Sequence, residues 1–222
     1  NLMRIALCLH GLSSGTNDKG DPVSFENSYM YLQQNVLVNH TVDVFFHTWG
    51  TSQDKKNDLI TTYNPCSFVF EKQIIFDSDF SESRGPLRHS CKSRWYSHMK
   101  SVELKRKYEE RYNFKYDFIL VTRFDTCFLT PFDWEKYSSK YFYSGLWPDG
   151  DPNGLQDLWF IAGTDIMDQY SNLYEHIDKY FDLGCLVSNH SLAKFHAIQL
   201  GLGDKLRYFK KEANDFELER WL

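Results

Sequence analysis

Long apolar runs are missing from this chain of 222 residues. No stretch approaches the roughly 20 consecutive apolar residues that a membrane-spanning helix needs, and no leader segment stands out, so the chain reads as having no transmembrane segment. An excess of positive charge is missing as well. Lys and Arg number 25 against 30 Asp and Glu, a formal net charge of -5, which argues against a broad basic surface for nucleic acid. Cysteines are few and scattered: Cys8, Cys66, Cys91, Cys127 and Cys185 are odd in number, and no pair has metal-finger spacing. That usage reads as a reduced, cytoplasmic protein (host cytoplasm if the source is a virus). Repeats, low-complexity tracts and linkers are also lacking, which predicts a single domain over residues 1–222. Matches to the N-glycosylation pattern at Asn39 and Asn189 are of the kind that chance supplies.

Aromatic side chains are abundant: 18 Phe, 14 Tyr and 6 Trp. This is too apolar for disorder, and it suits both a large core and stacking on sugar or base rings. Arg4 to Leu9, Val42 to Phe46, Ser67 to Phe70 and Phe118 to Val121 read as strands, three of them apolar without alternation and so buried on both faces. Further strands are predicted around Tyr141 to Ser144, Asp157 to Ala162 and Leu206 to Phe209. Helical spacing marks Ser24 to Val38, Lys55 to Tyr63 and Ser93 to Tyr112. A short helical turn is expected at Pro131 to Tyr137. Thr164 is placed to cap a helix running to Tyr180, and Ser188 or Asn189 to cap another through Leu200. The segments Gly11 to Asp21 and Asp77 to Ser90 read as polar loops, and the C-terminal tail as charged and without an element. Alternating strands and helices predict an α/β fold with a mostly parallel central sheet and helices on both faces.

In such a sheet the carboxyl ends of the strands form the ligand crevice. Three ends carry chemistry: His10-Gly11, His47-Thr48-Trp49 and Arg123-Phe124-Asp125. If their strands are neighbours, the three ends line one pocket. A cation and a carboxylate at the third end suit a phosphate-bearing substrate, a metal, or both; the structural alternative is a strand-end ion pair.

Four segments in order carry a family resemblance: Ile5 to Gly11; Asp43 to Trp49; Trp95-Tyr96-Ser97 through Glu103-Leu104-Lys105 and Tyr108-Glu109 into Tyr116-Asp117 and Thr122-Arg123-Phe124-Asp125; and Asp157-Leu158-Trp159-Phe160 followed by Ile166-Met167 and Tyr170. With them the chain resembles glycosyltransferases of the GT-A type from bacterial, phage and large-virus polysaccharide clusters. The resemblance implies a GT-A-like, Rossmann-like domain with a donor-nucleotide half over about residues 1–130 and an acceptor half over about 131–222. It implies transfer of a sugar from a UDP- or GDP-type nucleotide-sugar donor to a glycan or glycoprotein hydroxyl. His10, Gly11, His47, Thr48 and Trp49 would hold the nucleoside. Asp125 would stand for the last Asp of the Asp-x-Asp metal motif, with Arg123 in place of the first. Mn²⁺ or Mg²⁺ would then be held by Asp125 and a C-terminal histidine, His190 or His196, or else Arg123 would itself neutralise phosphate charge.

The reaction needs groups that stabilise the departing diphosphate, and Arg123, Arg94 and Lys100 are the cationic candidates. It also needs a base for the acceptor hydroxyl. Asp157, at the start of a strand, is the first candidate, ahead of Asp149 and Asp151. Trp147 in its Pro/Gly loop is the candidate sugar platform, whereas Trp95 fits the core and Tyr96 stays open between the two. Two other readings stay open. A sugar nucleotidyltransferase would want a basic Gly-rich loop after the first strand, where only Lys19 is cationic. A non-catalytic carbohydrate-binding domain would have no need of Arg123 and Asp125.

Overall fold

The computed structural model describes residues 3–17, 19–38, 40–76 and 85–222. Its centre is a seven-stranded sheet. In chain order its strands are β1 (Ile5–Gly11), β4 (Val42–Trp49), β5 (Ser67–Glu71), β6 (Phe118–Arg123), β8 (Phe142–Leu146), β9 (Trp159–Ala162) and β10 (Leu206–Lys211). Two small pairs complete the strands: β2 (Ser14–Thr16) with β3 (Pro22–Ser24), and β7 (Thr126–Phe128) with β11 (Phe216–Leu218). Across the main sheet the order is β5, β4, β1, β6, β9, β8, β10. Every strand runs the same way except β9, which is antiparallel to both β6 and β8. Residues 5–11 and 206–211 therefore belong to one sheet, which runs through both the N-terminal and the C-terminal parts of the chain.

The unalternating strands are covered on both faces because each face meets helices. Ile5, Leu7 and Leu9 pack in one layer with Phe25 and Leu32 of α1 (Phe25–Leu32) and Leu59 and Tyr63 of α2 (Gln53–Tyr63). Ala6 and Cys8 turn to the opposite layer, built on α3 (Gly85–Tyr112), α4 (Thr164–Tyr170), α5 (Ile177–Asp182) and α6 (Asn189–Gln199). On α3 the buried positions Cys91, Trp95, His98, Val102, Lys105 and Glu109 recur every three or four residues, the stripe a helix lays on a sheet. Two of them are charged. The buried Lys105 ammonium donates to Glu109 (2.8 Å), Thr164 (2.6 Å) and Asp168 (2.6 Å), which satisfies all three of its protons.

That network explains one departure from the sequence reading. Thr164 does not cap its helix; Gly163 is the N-cap, and the Thr164 hydroxyl is used by Lys105 and Glu109. The helix expected through Tyr180 is instead broken by a 3₁₀ segment at Ser171–His176, where the Ser171 hydroxyl donates back to Asp168 O. Other boundaries also shift. Residues 85–90, read as loop, belong to α3, while residues 77–84 lie outside the described residues, as does Asn39. The polar loop after β1 contains the β2–β3 hairpin, and the charged tail forms β11 and a 3₁₀ turn at Glu219–Trp221. All five cysteines are free thiols. Among the described residues no helix is long and apolar enough to cross a membrane.

Candidate functional site

A cleft of about 240 Å³ opens where β1, β4 and β6 end side by side, and His10, Gly11, Trp49 and Arg123 all line it. Gly11 leaves the sheet with φ +92°, a conformation that favours glycine, and its N–H donates to the Ser97 hydroxyl at 2.7 Å. The charged groups lining the cleft are Lys19, Arg94, Arg123 and Arg220, with Asp125 the only carboxylate among the described residues there. Several polar atoms at its wall are buried and lack a hydrogen-bond partner: His10 Nδ1, Arg94 Nη1, Asn189 Oδ1 and Arg220 Nε. Burial, followed by the charge of Arg94, pushes His10 well below its ordinary value, so its imidazole is neutral.

At the end of β6, Arg123 Nε and Nη2 reach the two oxygens of Asp125 at 2.8 and 2.6 Å, a bidentate pair. Burial works against the Arg123 charge, but Asp125 outweighs it and raises the guanidinium further. Asp125 is nearly buried, whereas the Arg123 side chain is 31% exposed.

A second pair lies beneath. Arg94, on the cleft side of α3, donates from Nε to Asp157 Oδ2 at 3.1 Å and from Nη2 to the Asp157 carbonyl. Its guanidinium lies 3.6 Å from the Trp95 ring centroid. His190 Nδ1 lies 2.9 Å from Asp157 Oδ1. Burial would raise the Asp157 carboxyl, yet Arg94, then His190, and Arg123 hold it well below the usual range. Burial would lower His190, but its bond to Asp157 raises it above its ordinary value. The reversal of β9 creates this arrangement: Thr122 pairs with Trp159, so the start of β9 lies at the edge where β6 ends.

The structure places several of the candidate site residues away from the cleft. His47 and Thr48 are fully buried and do not line the cleft. His47 is clamped between Ser97 Oγ (2.7 Å at Nδ1) and Glu71 (2.9 Å at Nε2), and Thr48 donates to Ser13 at 2.9 Å. A serine, histidine and carboxylate in series resemble an acyl-transfer triad, but Ser97 is fully buried and accepts the Gly11 N–H, so it has no route to a substrate. It ties β1, β4 and α3 together. Trp49 does line the cleft, stacked on Tyr96 at 5.5 Å. Lys100 lies farther along α3, away from the cleft wall, 3.6 Å from Glu103 and 5.4 Å from the Tyr96 ring.

His196 is a core residue held by the Tyr180 hydroxyl (2.7 Å) and Tyr170 O (3.1 Å), whereas His190 sits on Asp157, next to the cleft-lining Asn189 but not itself in the lining. Trp95 is core, as its helical row implies. Trp147 stands edge-on to His190 at 4.6 Å, and Asp149 and Asp151 are exposed, the latter turning the loop through Asn153 N.

Sequence reasoning missed Lys19 as a cleft residue, and also Gln73, Ser93, Asn189 and Arg220. The polar loop and the α6 cap were visible in sequence; nothing in the tail marked Arg220. The donors themselves decide whether a divalent metal fits. Both Asp125 oxygens accept from Arg123, and His190 is turned to Asp157 rather than to Asp125. No group of three or more His, Cys, Asp or Glu side chains arranged to hold a metal ion occurs among the described residues. The Asp125 and His190 set therefore does not fit Mn²⁺ or Mg²⁺ as arranged. No protein-family model matches the chain, and no curated protein matches it.

Proposed function

We propose that this protein is a glycosyltransferase that moves a sugar from a UDP- or GDP-type donor to a hydroxyl of a glycan or glycoprotein, as in polysaccharide synthesis on a GT-A-like domain. The observation that carries the reading is the cleft at the carboxyl edge of β1, β4 and β6, where four cations face one carboxylate and buried polar atoms lack partners. Such a site suits a ligand with several anionic oxygens. Trp49, 3% exposed and stacked on Tyr96, forms an apolar wall of the cleft beside Gly11 and His10.

In the proposed reaction the bond from the sugar's anomeric carbon to the diphosphate breaks, and the nucleoside diphosphate leaves with the electron pair. Arg123 and Arg94 are already in place to stabilise that charge, without reorganisation at the moment of reaction. Asp125 holds the Arg123 fork in position. The acceptor oxygen forms the new bond and gives up its proton. Asp157 is a poor base for it, since its oxygens serve Arg94 and His190 and its carboxyl is depressed. His190, held at Nδ1 by Asp157, keeps Nε2 for that proton.

The test is calorimetric binding of UDP, GDP and their sugar conjugates, with EDTA or with Mn²⁺, followed by donor hydrolysis without acceptor. Binding of one nucleoside diphosphate in EDTA, with slow release of sugar from its conjugate, is expected. Failure of every nucleotide to bind, with glycan binding retained, would turn the reading to a carbohydrate-binding domain.

A further inference from the structure

The C-terminal segment reaches the cleft by its own route. β11 pairs with β7 directly after Asp125, with Phe216 opposite Phe128 and Leu218 opposite Thr126. Glu219 N then donates to Asp125 O at 2.9 Å, and the Glu219 carboxylate accepts from Asn27 Nδ2 (2.7 Å) and Ser24 N (3.3 Å). These contacts seat the turn 219–221 against β3 and the start of α1. Arg220 emerges from that turn into the cleft. Its Nη1 donates to Asp21 Oδ2 at 2.8 Å, and Asp21 is itself held by Asn17, which accepts the Asp21 N–H at 2.9 Å and donates to the same Asp21 oxygen at 3.1 Å. Arg220 thereby joins the loop of the β2–β3 hairpin to the C terminus. That pairing leaves one arm of the fork unused: Nε is buried and without a partner, on a side chain only 18% exposed. Arg94 Nη1 and His10 Nδ1 are in the same condition at the same wall.

Burying guanidinium N–H groups without acceptors costs free energy unless something supplies the acceptors. We infer that Arg220 is a binding residue for the phosphate oxygens of the cleft's ligand, and that the turn 219–221 is a clasp which a bound diphosphate fastens over the cleft. The inference rests on the transferase reading only for the identity of the whole ligand; the anion site needs no more than adjacent phosphates. Arg220 and Arg123 approach from different elements, so a diphosphate bridging them would tie the C terminus to the sheet.

The experiment uses the full chain with inorganic pyrophosphate, the nucleoside diphosphate that binds it, and the matching nucleoside. Arg220→Gln is expected to weaken pyrophosphate and nucleoside diphosphate by about tenfold to a hundredfold, the loss of one charge-assisted hydrogen bond, with nucleoside affinity unchanged. Asp21→Asn, which removes the resting partner but not the guanidinium, is expected to keep the affinity for both phosphates. Hydrogen exchange across 216–222 is expected to slow when pyrophosphate binds the unaltered protein. Absence of pyrophosphate binding, unchanged phosphate affinity in Arg220→Gln, an equal loss for nucleoside, or an equal loss in Asp21→Asn would each overturn the inference. Pyrophosphate binding that needs Arg220, without turnover of any sugar donor, would leave the clasp standing and remove the transferase reading. Normal donor KM in Arg220→Gln would do the reverse.

Discussion

Arg123 grips Asp125 through Nε and Nη2, at 2.8 and 2.6 Å, two residues apart at the end of one strand. The pair fixes a planar cation at the cleft and engages the carboxylate that a divalent metal would need. On the proposed transferase reading, substituting Arg123→Ala should lower turnover by roughly 10²–10³-fold, the scale seen when one preorganised charge-stabilising donor is removed. Nucleoside binding should be little affected. The check is kcat and KM for donor hydrolysis beside calorimetry with the free nucleoside; turnover within a fewfold of normal would remove Arg123 from the chemistry.

Asp157 should matter most for stability. Its partner Arg94 has a side chain 10% exposed, and Asp157→Ala would leave that charge buried without its carboxylate. Breaking a buried pair in this way costs about 3–5 kcal/mol. For a domain of this size the midpoint of thermal unfolding should fall by about 6–20 °C. Replacing Arg94 by Met together with Asp157→Ala should recover part of the loss, because the stranded charge is gone; scanning calorimetry on the single and double variants decides it.

Stability should also depend on pH through His190. Its folded value is raised above 6.5, so its contribution is complete below that point and disappears as pH rises through the raised value. Asp157 is depressed, so its contribution is present above 3.8 and disappears as pH falls through its lower folded value. The contact is thus strongest in mildly acidic solution. In urea unfolding the advantage of the unaltered protein over His190→Gln should shrink from about pH 6 to about pH 9. A gap that stays constant over that range would mean that His190 does not titrate against Asp157.

Gly145 tests how the C-terminal segment is seated. A Cβ there would collide with the Phe216 ring and come within 3.3 Å of Trp159 Nε1. Phe216 is fully buried and anchors β11, so the ring has no free space to yield into. Gly145→Ala should destabilise the fold by about 1–3 kcal/mol, as overpacking does. It should also speed hydrogen exchange at 216–222 more than in β1. Equal exchange in both segments would show that Phe216 does not hold the tail in place.

Much of this architecture could be read from residue order. Unalternating runs such as Ile5 to Leu9 and Phe118 to Val121 can only be satisfied by cover on both faces, and that fixes a layered α/β fold. The same runs place His10, Gly11, Trp49 and Arg123 at strand ends, and those four do meet in one cleft. Sequence could not tell which residues of a strand end turn inward: His47 and Trp49 lie two apart on β4, yet one is sealed behind Ser97 and Glu71 and the other reaches the cleft. Nor could it reveal that β9 runs backwards, which alone carries Asp157 to Arg94 across 63 positions of chain. The tail gave no local signal at all, because the partners of Glu219 and Arg220 lie near residues 21–27 and 125. Local pattern determines which segments become strands and helices, since burial and periodicity act over a few residues. Strand direction, ion-pair choice and the seating of the C terminus depend on contacts between segments far apart in sequence, and only the folded chain decides those.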